Sequence, residues 1–380
     1  FIRGHILTGF PWNLISFSFS ENLNFIQILS FIGTYSFNLI CISLFTLPAV
    51  IFLKYSKKEI IFFFFFLLFV ISFTVFGNYK NNNFNSLETL KNPYTIKVIS
   101  SNIGLDRFYS NKNELDIIKE LIKLSNSEKN KPTIFLWPEG IIPDTYLSEM
   151  KNYKDLFYNN FGDDDLIILG LSSLKIKNDK DLYFNTLAVF NNKLELIHHY
   201  NKVNLVPFGE FVPFEKILRF IGLKTITNDF QSFSKGKERK PFKIQNDEID
   251  LNLLPLICYE IIYSGKLFNN PDFDIIVNIS EDGWFGKSIG PKQHFINSIF
   301  RAIESVKYVV RSSNNGIAAI INPIGVVEQS IKFGESGFID LKSQKKIQPT
   351  IFSIYGNKIF GLLILLYIFL IFSFNKIKNE

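Results

Sequence analysis

Sulfur and imidazole are scarce: the 380 residues carry two cysteines, Cys41 and Cys258, one methionine, Met150, and four histidines. Two lone thiols far apart in the chain make no disulfide framework. His5, His198, His199 and His294 form no HExxH or comparable ligand pattern, so zinc hydrolysis finds no basis and no metal is expected. No GxSxG elbow is present, which removes the Ser-His-Asp hydrolases built on that turn. The net charge is only +6 and no basic stripe alternates with aromatics, so a nucleic-acid partner is not expected. No internal repeat is visible. With Phe at position 1 and Met150 the sole methionine, the expectation is that further residues precede this stretch.

Apolar residues, at 47%, are what the chain has in excess. Three runs, 31–53, 60–76 and 359–374, are candidates to cross a bilayer, which takes about 20 apolar residues as a helix. The alternative is that one of these runs is a buried core helix. The Phe run at 62–66 is used here only for its hydrophobicity. Lys54, Lys57 and Lys58 follow the first run, and Lys376 and Lys378 close the third. By the positive-inside rule both lysine groups lie in the cytoplasm, which puts residues 78–357 across the membrane. The expected division is a partial N-terminal membrane domain at 1–77, an Asn-containing linker at 78–94, a catalytic domain at 95–350, and a membrane helix with tail at 351–380. Residues 1–24 read as the tail of a membrane element and a loop.

The middle segment reads as α/β. Strand-like runs are 95–101, 133–138, 165–171, 185–190, 194–200, 251–257, 274–280 and 316–321. Leu115, Ile118, Leu121 and Ile122 share one helical face, and Phe295, Ile299, Ala302, Ile303 and Val306 another. Strands rich in Val, Ile and Leu with little alternation predict a sheet covered on both faces.

Three clusters place reactive side chains just after apolar strands, where α/β sheets build their sites. They are Trp137-Pro138-Glu139, Tyr200-Asn201-Lys202 leading to Glu210 and Pro213, and Cys258-Tyr259-Glu260. A thiol, a carboxylate and an amine suffice for covalent acyl transfer. The thiolate attacks, the carboxylate moves protons, and the ammonium stabilises the oxyanion. A helix beginning at Tyr259 would further favour the thiolate. Singly, each residue also has a plain structural reading. Cys258 could be an inert core thiol, Glu139 a strand-end cap, Lys202 a solvated loop charge, and Glu210 and Glu260 ion-pair partners.

Together, the order Glu139, Lys202, Cys258 in these contexts resembles the carbon-nitrogen hydrolase (nitrilase) superfamily, and within it the membrane-bound apolipoprotein N-acyltransferase branch. The resemblance rests on GFPW at 9–12, WPEGIIP at 137–143, YNKVNLVPFGEFVP at 200–213, ICYE at 257–260 and DGWFGKSIGPKQH at 282–294. RAIES at 301–305 and RSSNNGIAAI at 311–320 extend it. It covers nearly the whole chain and begins inside the family's membrane domain. Two departures stand out: Glu281 where the family commonly has Asn, and no Trp near 104–112, where Phe108 and Tyr109 are the nearest aromatics.

The resemblance implies an αββα nitrilase-type sandwich flanked by transmembrane helices, with no cofactor. It implies that Glu139 is the general base, Lys202 the oxyanion-binding lysine and Cys258 the acylated nucleophile. Glu210, Tyr259 and Glu260 are then supporting residues, and Trp137, Trp284 and Phe285 pocket candidates. It further implies a phospholipid acyl donor, an apolipoprotein acceptor, and a place in the bacterial inner membrane with the catalytic domain on the periplasmic side. Rival expectations are an amidase acting on small amides, and a silent domain that only binds lipid or lipoprotein. His198, His199 and His294 are read as structural, and the segments near 104–112 and 221–240 as mobile lids.

Overall fold

A computed structural model describes residues 1–6, 8–53, 57–109, 113–129, 131–211 and 232–379. Two sheets of six strands are stacked face to face. The first has the order β12-β1-β2-β3-β4-β5 and comprises β1 (Leu90–Ser100), β2 (Thr133–Leu136), β3 (Leu166–Lys177), β4 (Lys180–Asn191), β5 (Leu196–Asn201) and β12 (Gly337–Gln344). The second has the order β11-β10-β9-β8-β7-β6 and comprises β6 (Phe242–Gln245), β7 (Asp250–Ile257), β8 (Ile275–Glu281), β9 (Tyr308–Asn314), β10 (Ala318–Ile321) and β11 (Val327–Ile331). In each sheet three parallel strands, β1-β2-β3 and β7-β8-β9, form the centre, and antiparallel strands extend it. The strand ends that carry the site all belong to these central strands or to β5.

Strand parity divides the core. Ile134 and Leu136 of β2, with Leu166 and Ile168 of β3, face the second sheet. Phe135 and Trp137, with Ile167 and Leu169, face outward under the helices Glu114–Ser125 and Lys154–Asn160. Helix Glu114–Ser125 starts where the Asn113 side chain accepts from the Leu115 N–H, and it buries Ile117, Ile118 and Leu121. Helix Gly290–Ser305, with Pro291 in its first turn, covers the second sheet. This is the αββα arrangement expected.

The helices Leu29–Leu53 and Lys57–Ser86 contain apolar spans, Leu29–Ala49 and Phe63–Ser86, long enough to cross a bilayer. Phe64, Phe65, Leu68 and Phe69 of the second are exposed, as are Leu362, Leu365 and Phe369 of the C-terminal helix Lys358–Asn379. Such exposed apolar surface suits hydrocarbon better than water. The apolar stretch Lys358–Ser373 is shorter than the other two. The first helix is kinked at Gly33 (φ 74°), where a Cβ would sit 1.9 Å from the ring of Phe352. Only glycine fits that close approach.

One expectation about organisation changes. Residues 78–86 are not a linker: they continue the helix Lys57–Ser86, whose Asn78 and Asn81 bond to Asn24. Residues 8–12 form a loop, as expected within 1–24. Tyr259 donates its hydroxyl to the Gly9 carbonyl, and Trp12 donates its indole N–H to Gln293 at 2.7 Å, which draws this loop onto the catalytic domain. Lys54 and Pro213 lie outside the described residues.

Candidate active site

Glu139 stands just beyond β2. Pro138 has no N–H to continue the ladder, so the chain turns away there. Gly170 of β3 makes room, since a Cβ at that position would lie 2.6 Å from the Glu139 Cα. The Glu139 carboxylate is nearly buried and fully engaged. Oε1 accepts from Asn185 Nδ2 at 2.7 Å and Lys202 Nζ at 3.2 Å, and Oε2 accepts from the Glu281 N–H at 3.0 Å.

Lys202 follows β5, its N–H donating to the Asn185 carbonyl at 2.8 Å and its own carbonyl accepting from Gly236 at 2.8 Å. The buried ammonium sits between two carboxylates, Glu139 at 3.2 Å and Glu210 at 2.9 Å. Asn185 bridges the same pair, since its Nδ2 also donates to Glu210 at 2.8 Å. Burial alone would lower the Lys202 pKa. The negative charge of Glu139, then of Glu210, overcomes this and holds it well above the ordinary lysine value.

Cys258 ends β7 and opens a single 3₁₀ turn, Cys258–Ile262, with its own backbone in the left-handed region (φ 47°). That conformation costs a β-substituted residue about 1 kcal/mol or more. Its carbonyl accepts from Asn278 Nδ2 at 3.5 Å, with His294 Nε2 at 3.2 Å, so the strained turn is gripped from below. Burial first, then the Glu139 carboxylate, push the thiol pKa well above its usual value, against the pull of Lys202. In place of the helix expected from Tyr259 there is only this short 3₁₀ turn, and burial disfavours the thiolate form of Cys258.

Glu260, wholly buried, ties these parts together. Its Oε1 accepts from Val203 N–H (2.9 Å), Asn204 N–H (3.0 Å), Tyr200 (2.8 Å) and Arg239 (2.6 Å), and its Oε2 accepts from Ile257 N–H at 3.0 Å. It touches no candidate reacting atom. It fixes the chain on both sides of Lys202 and Cys258.

Below the sulfur, Asp282 accepts from Ser280 at 2.7 Å and Arg311 at 2.8 Å, and its Oδ1 is 2.8 Å from His294 Nδ1. Burial, then Arg311, lower the His294 pKa, so the ring is neutral and has one N–H to share between Asp282 and the Cys258 carbonyl. Cys258, Asp282 and His294 bring their donor atoms within 4.8 Å of one another, a metal-ligand set by type. Here the Arg311 guanidinium already supplies the positive charge against Asp282, and both ring nitrogens of His294 face polar neighbours.

The structure brings together Glu139, Lys202, Cys258, Glu210 and Glu260, and it sets Tyr259 beside them on the loop from 8–12. Phe285 packs against Trp12 (5.2 Å) and His294 (5.7 Å). Trp284 lies half-exposed over Phe108, with ring centroids 5.2 Å apart.

Trp137 departs from the expectation of a pocket residue: it is fully buried on the helix side of the first sheet, packs against Phe157 and Phe161, and donates to Ser125 at 2.9 Å. Trp137→Ala should cost about 3–5 kcal/mol of stability, read by denaturant melting, with the rate per folded molecule within about twofold of the parent. The lid expectation also changes within the described residues. Segment 105–108 is a 3₁₀ turn fixed by buried Arg107, and Phe233, Gly236 and Arg239 are bonded to Glu210, Lys202 and Glu260. Residues 110–112 and 221–231 lie outside the described set.

His198 stacks on Phe242 at 3.8 Å, away from the site, and keeps its structural reading. Sequence reasoning missed Asn185, Arg239, Arg311 and the closeness of His294 to Cys258. The motif running from Asp282 to His294 was the one available signal for the last.

The chain matches the carbon-nitrogen hydrolase family over residues 164–346 and the apolipoprotein N-acyltransferase N-terminal domain over residues 1–47. It is 34% identical over 384 residues to an apolipoprotein N-acyltransferase of Rickettsia bellii, covering 100% of this chain and 74% of that one. The Rickettsia typhi enzyme of that name is 31% identical over 364 residues, covering 94% and 70%. That of Caulobacter vibrioides is 29% identical over 375 residues, covering 96% and 69%. Among solved structures, a variant of the Nesterenkonia amidase of the nitrilase superfamily aligns with a TM-score of 0.44 at 14% identity, covering 68% of this chain and 93% of that one. With relatives above 30% identity spanning this chain, it belongs to the apolipoprotein N-acyltransferases, acyltransferases of lipoprotein maturation that carry a carbon-nitrogen hydrolase domain.

Proposed function

We propose that the protein moves a fatty acyl chain from a phospholipid of the phosphatidylethanolamine type to Cys258, and from there to the α-amine of an apolipoprotein's diacylglyceryl-cysteine. The observation that carries this is one buried Lys202 ammonium bonded to Glu139 and Glu210, with the charges of Glu139 and Lys202 both acting on the Cys258 thiol. In the first half-reaction the sulfur attacks the ester carbonyl, Glu139 takes the thiol proton, and Lys202 faces the developing oxyanion. Collapse breaks the ester C–O bond, and the leaving alkoxide takes the proton from Glu139, giving a thioester and a lysophospholipid. In the second, the neutral amine attacks the thioester and gives a proton to Glu139. The C–S bond breaks and the thiolate recovers that proton. Neither step calls on a metal or organic cofactor.

Substrates anchored in a bilayer account for the apolar helices beside the catalytic domain. The lysines after the first span and at the C-terminus favour an inner-membrane enzyme with 95–350 on the periplasmic side.

The test is incubation in detergent with phosphatidylethanolamine labelled in its acyl chain. Hydroxylamine-sensitive label on the Cys258 peptide, absent in Cys258→Ala, is the expected result. A folded protein that takes no label, or a Cys258→Ala variant that still acylates lipoprotein, overturns the mechanism. Release of ammonia from small amides instead would move the assignment to amide hydrolysis.

A further inference from the structure

One buried ion pair takes no part in the chemistry above. Arg107, in the turn after β1, pairs with Glu281 at the end of β8, and both side chains are almost wholly hidden. Arg107 also donates to the carbonyls of Ile103 (3.3 Å), Gly104 (3.1 Å) and Gly140 (3.2 Å). The Glu281 carboxylate accepts from Asn314 at 2.6 Å and from the Gly283 N–H at 2.8 Å. The pair thus joins the loops after β1, β2 and β8, and it meets the general base from two sides. Gly140 follows Glu139 in the chain, and the Glu281 N–H donates to Glu139 Oε2 at 3.0 Å.

Buried ion pairs contribute little net stability, because desolvation of both charges offsets their attraction. Geometry is what this one supplies. Without it, only the side chains of Asn314 and Asn315 still link Ile103 to the strand end at 281, and the Glu281 N–H that holds Glu139 Oε2 is less firmly placed. Asn185 and Lys202 both lie on the Oε1 side.

We propose that Arg107 and Glu281 are a positioning pair that aims the Glu139 carboxylate at the Cys258 thiol and so sets the rate of acyl-enzyme formation. The proposal rests on Glu139 being the base. Neither residue reaches the sulfur, so the effect falls on kcat and leaves KM for the donor lipid nearly unchanged. A small displacement of a reacting group is enough for a loss of about a hundredfold.

The experiment measures single-turnover thioester formation and KM for Arg107→Met, Glu281→Gln and the double variant, each normalised to folded protein by melting. Each single variant should lose about 30- to 100-fold in rate with KM within about threefold of the parent. The double should be no worse than about threefold below the poorer single, because each change removes the same contact. Glu281→Gln keeps the shape and one accepting oxygen while removing the charge that Arg107 pairs with, so it still reports if Arg107→Met does not fold. Rates within threefold of the parent in the folded single variants overturn the proposal. So do losses that multiply in the double, or losses accounted for by the unfolded fraction. Glu139→Gln is measured alongside: if it forms thioester at the parent rate, the assignment of the base fails, independently of the pair.

Discussion

Replacing Lys202 with methionine is expected to slow acyl-enzyme formation by about a hundred- to a thousandfold, the usual loss when an oxyanion donor is removed. Two effects act together. The ammonium facing the developing oxyanion disappears, and so does the charge that lets Glu139 and Glu210 stand side by side. Both carboxylates bond to the same Asn185 nitrogen, at 2.7 and 2.8 Å. Like charges this close and this buried repel, so without the ammonium between them Glu139 is no longer held in its present place.

Lys202→Arg is expected to stay within about tenfold of the methionine variant, because a planar fork does not fit a point-charge site between two converging carboxylates. Quenched-flow measurement of hydroxylamine-labile label, per folded molecule, checks both. A Lys202→Met rate within tenfold of the parent would remove the lysine from the mechanism.

The cluster of Glu139, Lys202 and Cys258 proposed as catalytic was legible because each sits in a short local pattern, an apolar strand followed at once by the residue. The helices at 114–125 and 290–305 were legible from their apolar spacing. What escaped was direction. The strand at 133–136 is apolar on both faces, so sequence alone does not say which parity meets the other sheet and which meets the helices. Trp137 falls on the helix side with Phe135, and its place in the outer core follows from that.

Strand β9 escaped for the opposite reason. Its Arg311, Ser312, Ser313 and Asn314 are polar, yet every one is buried. Ser312 donates to the Ile99 carbonyl at 2.6 Å and Asn314 to Ile103 at 2.8 Å, bonds that cross between the sheets. A polar run reads as a loop unless such partners are known. The same holds for Arg239, whose role depends on Glu260 twenty-one positions away in sequence.

That dependence leads to a large expected effect on stability. Glu260→Gln leaves the Arg239 guanidinium buried without its counter-charge and weakens the bonds from Tyr200, Val203, Asn204 and Ile257. A change of this kind costs about 3–5 kcal/mol. Since these bonds fix the chain at Lys202 and Cys258, thioester formation should fall with stability rather than after it, and Tm and burst amplitude should decline together.

The pH dependence gives an independent check. Burial alone would raise the Glu260 pKa, but Arg239 and the Ile257 and Asn204 N–H groups outweigh it and hold it below the ordinary value. A depressed folded-state pKa means that the unfolded chain binds the proton more readily. The stabilisation is therefore complete above the unfolded value of about 4.3 and is lost as pH falls through the folded one. Between pH 6 and pH 3 the parent should lose more Tm than Glu260→Gln, which has no carboxyl to protonate there. Parallel Tm curves would show that Arg239 does not bind the carboxylate, and the rigid link between Lys202 and Cys258 would then need another source.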